Sequence, residues 1–564
     1  MQSFITPEEL NKLPWPDPTG WFTIAQPKRS ADDVMLRGWV IGNKAPIHFR
    51  KGMDWASPGE RDRSWGFHLH SWEALDAALL GIGKHRDRDK LRWVLDIASD
   101  WAAFALHRDT PSSMSWYDMS LSLRMPRLAR IMIYAAHLGF DDDVLKLSEI
   151  AQLHGSKILE PAAFNPRNNH GFYAAAATLD WANLLPFSEG QKQLKLLGHE
   201  RMSTITATQF ASDGGHREHS PQYHRMLLKS FEDGFNGGIV ADSDIASTIL
   251  KASNVLGWWV QPDGYFVQFG DSDHQTVDRM KLSAIDEHTQ FIISNGAEGV
   301  PADSEMLVLP DSGYAIVRSP QPKAPGERIL SSYLAFQAAF HSRAHKHADD
   351  LTFVWFEKGQ EILCDSGRYG YVDLLPPESE DRLDGFYYGA PERQLMESTY
   401  AHNTVSVNGR NLDRRVRKPY GSALGKCYEL DERFVLSGSV THKDFIHERY
   451  LDLCPGKKLV VSDTVVPLSA PSNAVAWFNL NGDAELVNKE SDSLVFELPN
   501  GAGLLRVKHN GRLVEPVKGQ TSPLRGWRSY RERELVPQWN FGIRRTLGEV
   551  GTITTEFHLD EEGS

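Results

Sequence analysis

Residues 340–367 read FHSRAHKHADDLTFVWFEKGQEILCDSG, a histidine-rich segment that runs into a strand pattern. An apolar run is followed by a Lys-Gly turn and by a second apolar run, which ends at Asp365. Two such runs joined by a turn with glycine predict a β-hairpin. Because side chains alternate along an extended chain, His345 and His347 would point to one face, and the hairpin would bring Asp365 towards them.

The strand pattern continues from this hairpin to the C-terminus. Near residue 305 the hydrophobic period changes from helical to alternating, and short alternating runs then follow one another. Asn-Gly turns, for example Asn408-Gly409 and Asn510-Gly511, separate several of these runs, as in β-hairpins. Strands at this spacing, without helices between them, predict an antiparallel β-sandwich over residues 306–564.

Helical periodicity dominates residues 66–305. Apolar residues recur there at positions i, i+3, i+4 and i+7, in segments of similar length with short connections. Gly81, Gly83 and Gly139 are predicted to end helices, where a left-handed residue is often needed. The pattern predicts paired antiparallel helices, in either a bundle or an (α/α) toroid. Residues 1–65, rich in Pro, Trp and Gly, are expected to pack on this helical domain as an N-terminal extension.

Length and charge limit the classes of function. The chain has 564 residues, more than one hydrophobic core usually serves, so two or more domains are expected. The net charge of −13 argues against nucleic acid as a partner, although a local basic cleft could still bind a polyanion. Three cysteines are too few for a disulfide framework. No apolar run approaches the length of a membrane span, so no membrane partner is expected.

The N-terminal residues bear on location. The sequence MQSFITPEELNKLPWPD lacks a charged segment followed by an apolar one. We therefore expect a cytoplasmic protein. The alternative is a periplasmic or secreted protein whose leader is absent from the sequence.

Asn169 and His170 stand directly before the apolar helix pattern GFYAAAATLDWANLL. One interpretation is helix capping, because Asn is a good N-cap residue. The other is an anion site, in which an amide and an imidazole at a helix N-terminus bind negative charge with help from the helix dipole. Local sequence leaves both interpretations open.

A second polar group precedes the helix pattern that begins at Pro221. Proline at the first helical position would place Tyr223 and His224 in the first turn. The positive end of the helix dipole is expected to favour the phenolate of Tyr223, whose unperturbed pKa would be about 10. Glu218, His219 and His224 surround this tyrosine in the sequence and are predicted to contact a substrate.

His347, Asp365 and His402 make up a candidate metal site. Two imidazoles and one carboxylate are a plausible Zn²⁺ ligand set with one coordination position open. The long spacing is not specific by itself, and a single histidine on a strand is more often a core or surface residue.

Further candidates lie in two loops. Tyr387 and Tyr388 either cover the sheet or act on a substrate, by catalysis or by stacking on a sugar. Arg393 is predicted to bind substrate. Residues 269–274, FGDSDH, form a loop that could line a cleft but shows no clear chemistry of its own. Other basic residues near the motifs would suit a sulfated or carboxylated chain: Arg167, Arg217, Arg343, Lys346 and Arg368.

Together these motifs resemble the heparinase II/III-like superfamily of polysaccharide lyases. Four segments carry the resemblance, and their order over an α and then a β region is specific, although each alone is weak. They are RNNHGFY (167–173), DGGHREHSPQYH (213–224), AHKHADDLTFVWFEKGQEILCDSGRYGY (344–371) and STYAHNTVSVNGR (398–410). The resemblance covers most of the chain from about residue 65. It implies an N-terminal (α/α) toroid followed by a C-terminal antiparallel β-sandwich.

The resemblance also implies catalytic roles. Asn169 and His170 would neutralise the carboxylate of a uronate sugar. Tyr223 would act as general acid and, as in some members, also as base. His345 would serve as a base, as in the heparinase II type.

The remaining implied groups lie in the β region. Tyr388, or its neighbour Tyr387, would be a second catalytic tyrosine. His347, Asp365 and His402 would hold a structural Zn²⁺ near the active site, with another divalent metal as the alternative.

The expected activity is that of a polysaccharide lyase, which cleaves a uronate-containing polymer by β-elimination and leaves unsaturated uronate products. A glycosaminoglycan such as heparan sulfate, chondroitin sulfate or hyaluronan is the first choice of substrate, and alginate or a bacterial exopolysaccharide the second. The expected partner is thus an acidic polysaccharide or oligosaccharide, and a homodimer remains open.

Two other functions are alternatives to the polysaccharide lyase. A glycoside hydrolase on an α/α scaffold would need two opposed carboxylates, for which Glu218, Asp349 and Asp350 are candidates. A non-catalytic carbohydrate-binding or scaffold protein is the third hypothesis.

Overall fold

A computed structural model of the chain has a helical region followed by an antiparallel β region, as predicted. The structure describes residues 5–23, 29–41, 45–57, 62–107, 112–186, 190–240, 242–276, 286–322, 326–383, 385–468, 472–548 and 550–560. Its α-helices are α1 Pro7–Asn11, α2 Ala31–Arg37, α3 Arg63–His70, α4 Asp76–His85, α5 Arg88–His107, α6 Asp118–His137, α7 Asp141–Lys157, α8 His170–Leu184, α9 Gln191–Gln209, α10 Pro221–Asn236, α11 Ser243–Leu256, α12 Glu287–Ile293, α13 Glu380–Leu383 and α14 Pro391–Glu397. None of the described helices is long and apolar enough to cross a membrane.

The long helices predicted from the apolar period are confirmed, but two helix ends were predicted wrongly. Gly81 and Gly83 lie inside α4, and Arg86 takes the left-handed conformation after it, with φ 52°. A glycine is needed at position 83 for packing, because a Cβ there would lie 2.5 Å from the ring of Pro18. Gly139 follows α6 with φ 73°, as predicted.

The β region contains two large antiparallel sheets among the described residues. The strands are β1 Met306–Leu309, β2 Tyr314–Ser319, β3 Ser332–Gln337, β4 Ala339–Phe340, β5 Thr352–Glu357, β6 Gln360–Leu363, β7 Val405–Val407, β8 Gly421–Ser422, β9 Tyr428–Leu430, β10 Arg433–Thr441, β11 Phe445–Cys454, β12 Lys458–Pro467, β13 Ser472–Leu480, β14 Glu485–Lys489, β15 Ser493–Glu497, β16 Leu504–His509, β17 Arg512–Lys518, β18 Gln520–Thr521, β19 Leu524–Arg525, β20 Trp527–Arg531, β21 Glu534–Pro537, β22 Trp539–Leu547 and β23 Gly551–Leu559. One sheet has the order β1-β2-β3-β5-β6-β13-β22-β17, with β7 beside β13. The other has the order β14-β15-β16-β23-β12-β11-β10-β9.

Both large sheets contribute to one hydrophobic core. Trp355, Phe478 and Phe541 come from the first sheet, and Leu451 and Phe557 come from the second. All five side chains are fully buried. The sheets therefore pack face to face, which is the predicted sandwich.

Contacts divide the chain into two compact units whose sequences are interleaved. The first unit comprises Met1–Gln209 and Lys229–Ala246, and the second comprises Phe210–Leu228 and Ser247–Ser564. In the first unit, the N-terminal segment packs on the helices: the indole of Trp15 donates to the carbonyl oxygen of Gly83 at 2.8 Å.

An ion pair is buried between β11 and β12 of the second unit. Arg449 donates to both oxygens of Asp463, at 2.7 and 2.9 Å, and both side chains are at most 1% exposed. Burial alone would raise the pKa of Asp463, but Arg449 and then His447 lower it to about 2. The inward positions His447 and Arg449 also interrupt the apolar alternation of β11, so its sequence alone gives a weak strand pattern.

We predict that Asp463→Asn lowers the free energy of unfolding by about 3–5 kcal/mol, because it leaves Arg449 buried without its counter-charge. The matched control is Asp452→Asn, which breaks the exposed pair with Arg433 and should cost less than about 1 kcal/mol. Urea unfolding at neutral pH, followed by far-UV circular dichroism, measures both. Equal losses in the two variants would contradict the prediction. Since the pKa of Asp463 is depressed, its stabilisation should disappear as the pH falls through about 2.

Candidate active site

A cluster of polar and aromatic side chains forms within the second unit, around the carboxylate of Asp271. Tyr223 lies in the first turn of α10, and the hydroxyl of Ser220 accepts from its backbone N–H at 3.3 Å, as in a helix cap. His345 lies in the loop between β4 and β5, and Tyr371 follows β6. Segments that are far apart in the sequence thus bring these groups together.

Asp271 is the centre of this cluster. Its Oδ2 accepts from Nδ1 of His345 at 2.8 Å and from the hydroxyl of Tyr371 at 3.0 Å. Its Oδ1 accepts from Nε2 of His347 at 2.9 Å and from Arg393. Burial alone would raise the pKa of Asp271, but the charge of Arg393 and the histidine hydrogen bonds hold it well below its usual range. The ionised carboxylate therefore fixes four neighbouring side chains.

Tyr223 and His345 are stacked, with ring centroids 3.6 Å apart and an interplanar angle of 23°. The hydroxyls of Tyr223 and Tyr371 are 2.9 Å apart. Because the hydroxyl of Tyr371 donates to Asp271, its oxygen is left to accept from Tyr223. A directed chain of hydrogen bonds thus runs from Tyr223 through Tyr371 to the carboxylate. Nε2 of His345 lies 3.4 Å from the buried carboxylate of Glu218.

The predicted phenolate character of Tyr223 is wrong. Burial raises the pKa of Tyr223 above its ordinary value, and the nearby charge of Arg368 only partly offsets this. The first-turn position is confirmed, but desolvation outweighs the helix dipole. Tyr223 is therefore a phenol at neutral pH, and it can give a proton away.

The backbone around the cluster is held in left-handed conformations. His219 and His345 have φ of 62° and 54°, which are uncommon for residues with a side chain. Gly270 lies between them: a Cβ at this position would be 2.5 Å from the carbonyl oxygen of His345 and 2.9 Å from that of His219. Any residue other than glycine at position 270 would therefore push these loops apart.

His219 and His224 were predicted to contact the substrate, but both have structural roles instead. His219 is fully buried, donates from Nδ1 to the carbonyl oxygen of Ala344 at 3.1 Å and accepts at Nε2 from the backbone of His341. Burial lowers the pKa of His219 to about 3. His224, 1% exposed, donates from Nε2 to the carbonyl oxygen of Ala252 at 2.9 Å. His219 thus holds loops in place, His224 ties α10 to α11, and both rings are too deeply buried to contact a substrate.

The two tyrosines of the predicted aromatic loop have different surroundings in the structure. The ring of Tyr388 lies 5.2 Å from that of Tyr371, which places it beside the cluster. Tyr387 is 45% exposed and stacks with Arg382. Of the two candidates, Tyr388 has the better position for catalysis.

Arg393 is buried instead of facing a substrate. It is 3% exposed and pairs with both Asp271 and Glu397. Its planar guanidinium joins these two carboxylates, so it positions Asp271. The predicted substrate contact of Arg393 is corrected accordingly.

Asn169 and His170 belong to the first unit. The side chain of Asn169 makes no capping hydrogen bond, so the capping interpretation does not hold for it. His170 is the first residue of α8, and its Nδ1 donates to Asp118 at 3.0 Å. The imidazole is thereby oriented with Nε2 pointing away from Asp118.

The candidate zinc ligands lie near one another in the second unit. Nδ1 of His402 donates to Asp365 at 2.8 Å, and the rings of His347 and His402 are 5.3 Å apart. Nδ1 of His347 and Nε2 of His402 are buried without a hydrogen-bond partner among the described residues. Two orphaned ring nitrogens fit the ligand chemistry of zinc, and Asp365 is held by the other ring nitrogen of His402. The described residues nevertheless contain no group of three His, Cys, Asp or Glu side chains already arranged to hold a metal ion.

Two members of the cluster were not among the predicted site residues. Asp271 lies in FGDSDH, a loop in which no chemistry was recognised, and Tyr371 ends the segment RYGY. A short acidic loop and one more tyrosine carry little signal of their own. Their roles follow from contacts with His345 and Tyr223, which are distant in sequence.

The class of protein is thus a helical domain followed by an antiparallel β-sandwich, with a tyrosine, a histidine and carboxylates clustered in the second unit. The heparinase II/III N-terminus family matches residues 23–290, and the family of heparinase II/III-like C-terminal domains matches residues 301–563. The chain belongs to the heparinase II/III-like family.

Individual relatives are distant. Heparin-sulfate lyase of Bacteroides thetaiotaomicron is 20% identical over 389 residues, which make up 64% of this chain and 53% of the relative. The chain therefore spans about half the length of this curated relative. Heparinase III has a TM-score of 0.78 at 16% identity, over 99% of this chain and 89% of that one. Heparan sulfate lyase HepC from Pedobacter heparinus has a TM-score of 0.67 at 16% identity, over 99% and 87%. At such identity the two solved structures show a common fold.

Proposed function

We propose that the protein is a polysaccharide lyase that cleaves a uronate-containing polymer by β-elimination. The observation that supports this most is the stacked pair of Tyr223 and His345, tied together through Tyr371 and Asp271. β-Elimination needs a base for the C5 proton and an acid for the leaving oxygen, and this pair supplies both types of group. The named activity of the curated relative, a heparin-sulfate lyase, agrees with this proposal.

In the proposed reaction, His345 takes the C5 proton of the uronate and Tyr223 protonates the leaving O4. Asp271 orients the imidazole of His345, as a carboxylate does beside a catalytic histidine. The raised pKa of Tyr223 keeps its proton in place until the leaving oxygen develops charge. Before the reaction, the hydroxyl of Tyr223 donates to Tyr371, and this hydrogen bond holds the Tyr223 oxygen in position.

The uronate carboxylate must also be neutralised, because an ionised carboxylate makes the adjacent C5 proton very weakly acidic. We assign this role to Asn169 and His170, as the family resemblance implies. Stabilisation of the enediolate by such donors is an oxyanion-type effect, in which a single donor contributes about 10²- to 10³-fold in rate.

The rival hydrolase needs two carboxylates free to flank a glycosidic bond. Asp349 and Asp350 are buried and both pair with Lys346. Glu218 is 1% exposed and faces His345. These placements disfavour a hydrolase.

A glycosaminoglycan is the substrate class that the relatives' names support best, and heparan sulfate is the first polymer to test. Alginate and bacterial exopolysaccharides remain the second candidates, since they also contain uronates.

We also propose that His347, Asp365 and His402 bind Zn²⁺. The metal would supply a structural cross-link between the loops that carry these residues. Binding would use the orphaned nitrogens of the two imidazoles.

The lyase proposal predicts a rise in near-UV absorbance, from unsaturated uronate, when the protein acts on heparan sulfate; chondroitin sulfate, hyaluronan and alginate are tested in parallel. Tyr223→Phe should lower kcat about 10²- to 10⁴-fold, because it removes the proton donor. Tyr450→Phe, on an exposed position of β11, is the matched control and should behave as wild type. Cleavage without absorbance would indicate a hydrolase, and normal turnover by Tyr223→Phe would refute its role.

Tyr371→Phe is predicted to lower kcat about 10- to 100-fold with little change in KM, since a buried hydrogen bond to Tyr223 is lost. Tyr369→Phe, two residues earlier on the same loop, keeps the Tyr223–Tyr371–Asp271 chain and serves as control. Steady-state kinetics separate the two variants. If Tyr371→Phe retains the wild-type kcat, the hydrogen-bond chain has no part in catalysis.

The zinc proposal predicts stoichiometric zinc in the purified protein and its loss in His347→Ala. Metal content by mass spectrometry is the primary readout, and thermal stability with and without chelator is the second, because a structural metal contributes to folding. His447→Ala, which alters a buried histidine elsewhere in the sandwich, is the control and should retain zinc. Zinc-free wild-type protein that no chelator destabilises would exclude the site.

A further inference from the structure

Residues 410–418 form a basic segment near the candidate active site, and we call it the basic loop. Its sequence, RNLDRRVRK, contains five basic residues and one acidic residue. The whole chain carries a net charge of −13, so the basic loop is a local exception to the charge of the protein. Such a concentration of like charge has a cost in repulsion, and a ligand of opposite charge would relieve it.

Two arginines anchor the basic loop to the segment that carries the catalytic histidine. Arg414 donates from Nη1 to the carbonyl oxygen of Lys346 at 2.7 Å. Arg417 donates to the buried carboxylate of Asp350, also at 2.7 Å. Because Lys346 directly follows His345, the loop is held close to the proposed base.

The other cations around the loop have no carboxylate partner among the described residues. Arg415 donates to the backbone carbonyl of Arg382, and the side chain of Lys418 is exposed. Arg382 stacks on Tyr387, with its guanidinium carbon 3.9 Å from the ring centroid. Arg343, also exposed, donates to two carbonyl oxygens of the basic loop, at 3.2 and 3.0 Å. These positive charges are therefore available to a ligand.

Three basic residues that were predicted from the sequence to contact the substrate are already neutralised. Lys346 is buried and paired with Asp349, and Arg368 is paired with Asp273. Arg393 likewise has two carboxylate partners. The basic loop, which sequence analysis did not single out, is thus better suited to hold an anionic chain.

We propose that the basic loop, with Arg343 and Arg382, is an exosite that binds anionic substituents of the polysaccharide away from the sugar being cleaved. This inference rests on the proposed lyase function. Sulfate and carboxylate groups share the chemistry that such cations recognise. Exposed cations outside the reacting centre should act on association and on salt dependence, and so on KM rather than on kcat.

The test compares the double variant Arg415→Gln/Lys418→Gln with Lys457→Gln/Arg544→Gln, which removes two exposed cations elsewhere in the second unit. Kinetics on heparan sulfate and on chemically desulfated heparan sulfate are measured over a range of salt concentrations. The loop variant should raise KM about 2- to 30-fold at unchanged kcat. In a plot of log(1/KM) against the logarithm of the salt concentration, the slope for the loop variant should become shallower by about one to two. Arg415→Lys should keep the wild-type slope, because it keeps the charge while losing the guanidinium contact.

The two polymers distinguish the groups that are bound. A loss confined to heparan sulfate identifies sulfate, and an equal loss on the desulfated chain identifies carboxylate. If the loop variant and its control have the same KM and salt slope, the exosite is overturned. The dissociation constants of the same variants for labelled heparan sulfate test the exosite independently of activity. If the wild type cleaves neither polymer, its proposed activity on these chains is refuted, but the binding measurement still shows whether the exosite exists.

Discussion

One buried carboxylate, Asp271, determines the geometry of the candidate active site. An ionised carboxylate is costly to bury unless several donors satisfy it. Here the donors are His345 and Tyr371 on one oxygen and His347 and Arg393 on the other. Since the bonds are directional, the orientation of the proposed base depends on the same group that holds a candidate zinc ligand. A substitution that removes a donor from one oxygen would therefore also shift the side chains bound to the other oxygen.

The loops that surround this carboxylate are packed closely enough to hold unfavourable backbone conformations. Left-handed φ angles at residues with side chains cost of order 1–3 kcal/mol each and persist only where neighbouring contacts impose them. His219 and His345 are both in this state. Gly270 is packed against their carbonyl oxygens, so the three loops hold one another. These loop contacts fix the backbone at His345, and the hydrogen bond to Asp271 fixes the direction of its side chain.

The sequence predicted what depends on local periodicity and missed what depends on distant contacts. The helices and most strands follow from their apolar periods, whereas the period is interrupted in β11, because His447 and Arg449 occupy two of its inward positions. The helix start at Pro221 and the first-turn position of Tyr223 were predicted correctly, but the pKa of Tyr223 was not, because burial is set by the whole fold. Asp271 has no local signature at all, since its importance lies in donors more than 70 residues away.

The distribution of charge explains how an acidic protein could handle an anionic polymer. At physiological salt, charges further apart than about 8 Å are largely screened, so the net charge matters less than the groups nearest the ligand. Buried cations such as Arg393 form ion pairs with carboxylates and stabilise the candidate active site. Exposed ones such as Lys418 have no carboxylate partner within the described part of the chain and are available to the proposed polymer. Burial thus separates the positive charges that shape the candidate active site from those that are available to the proposed substrate.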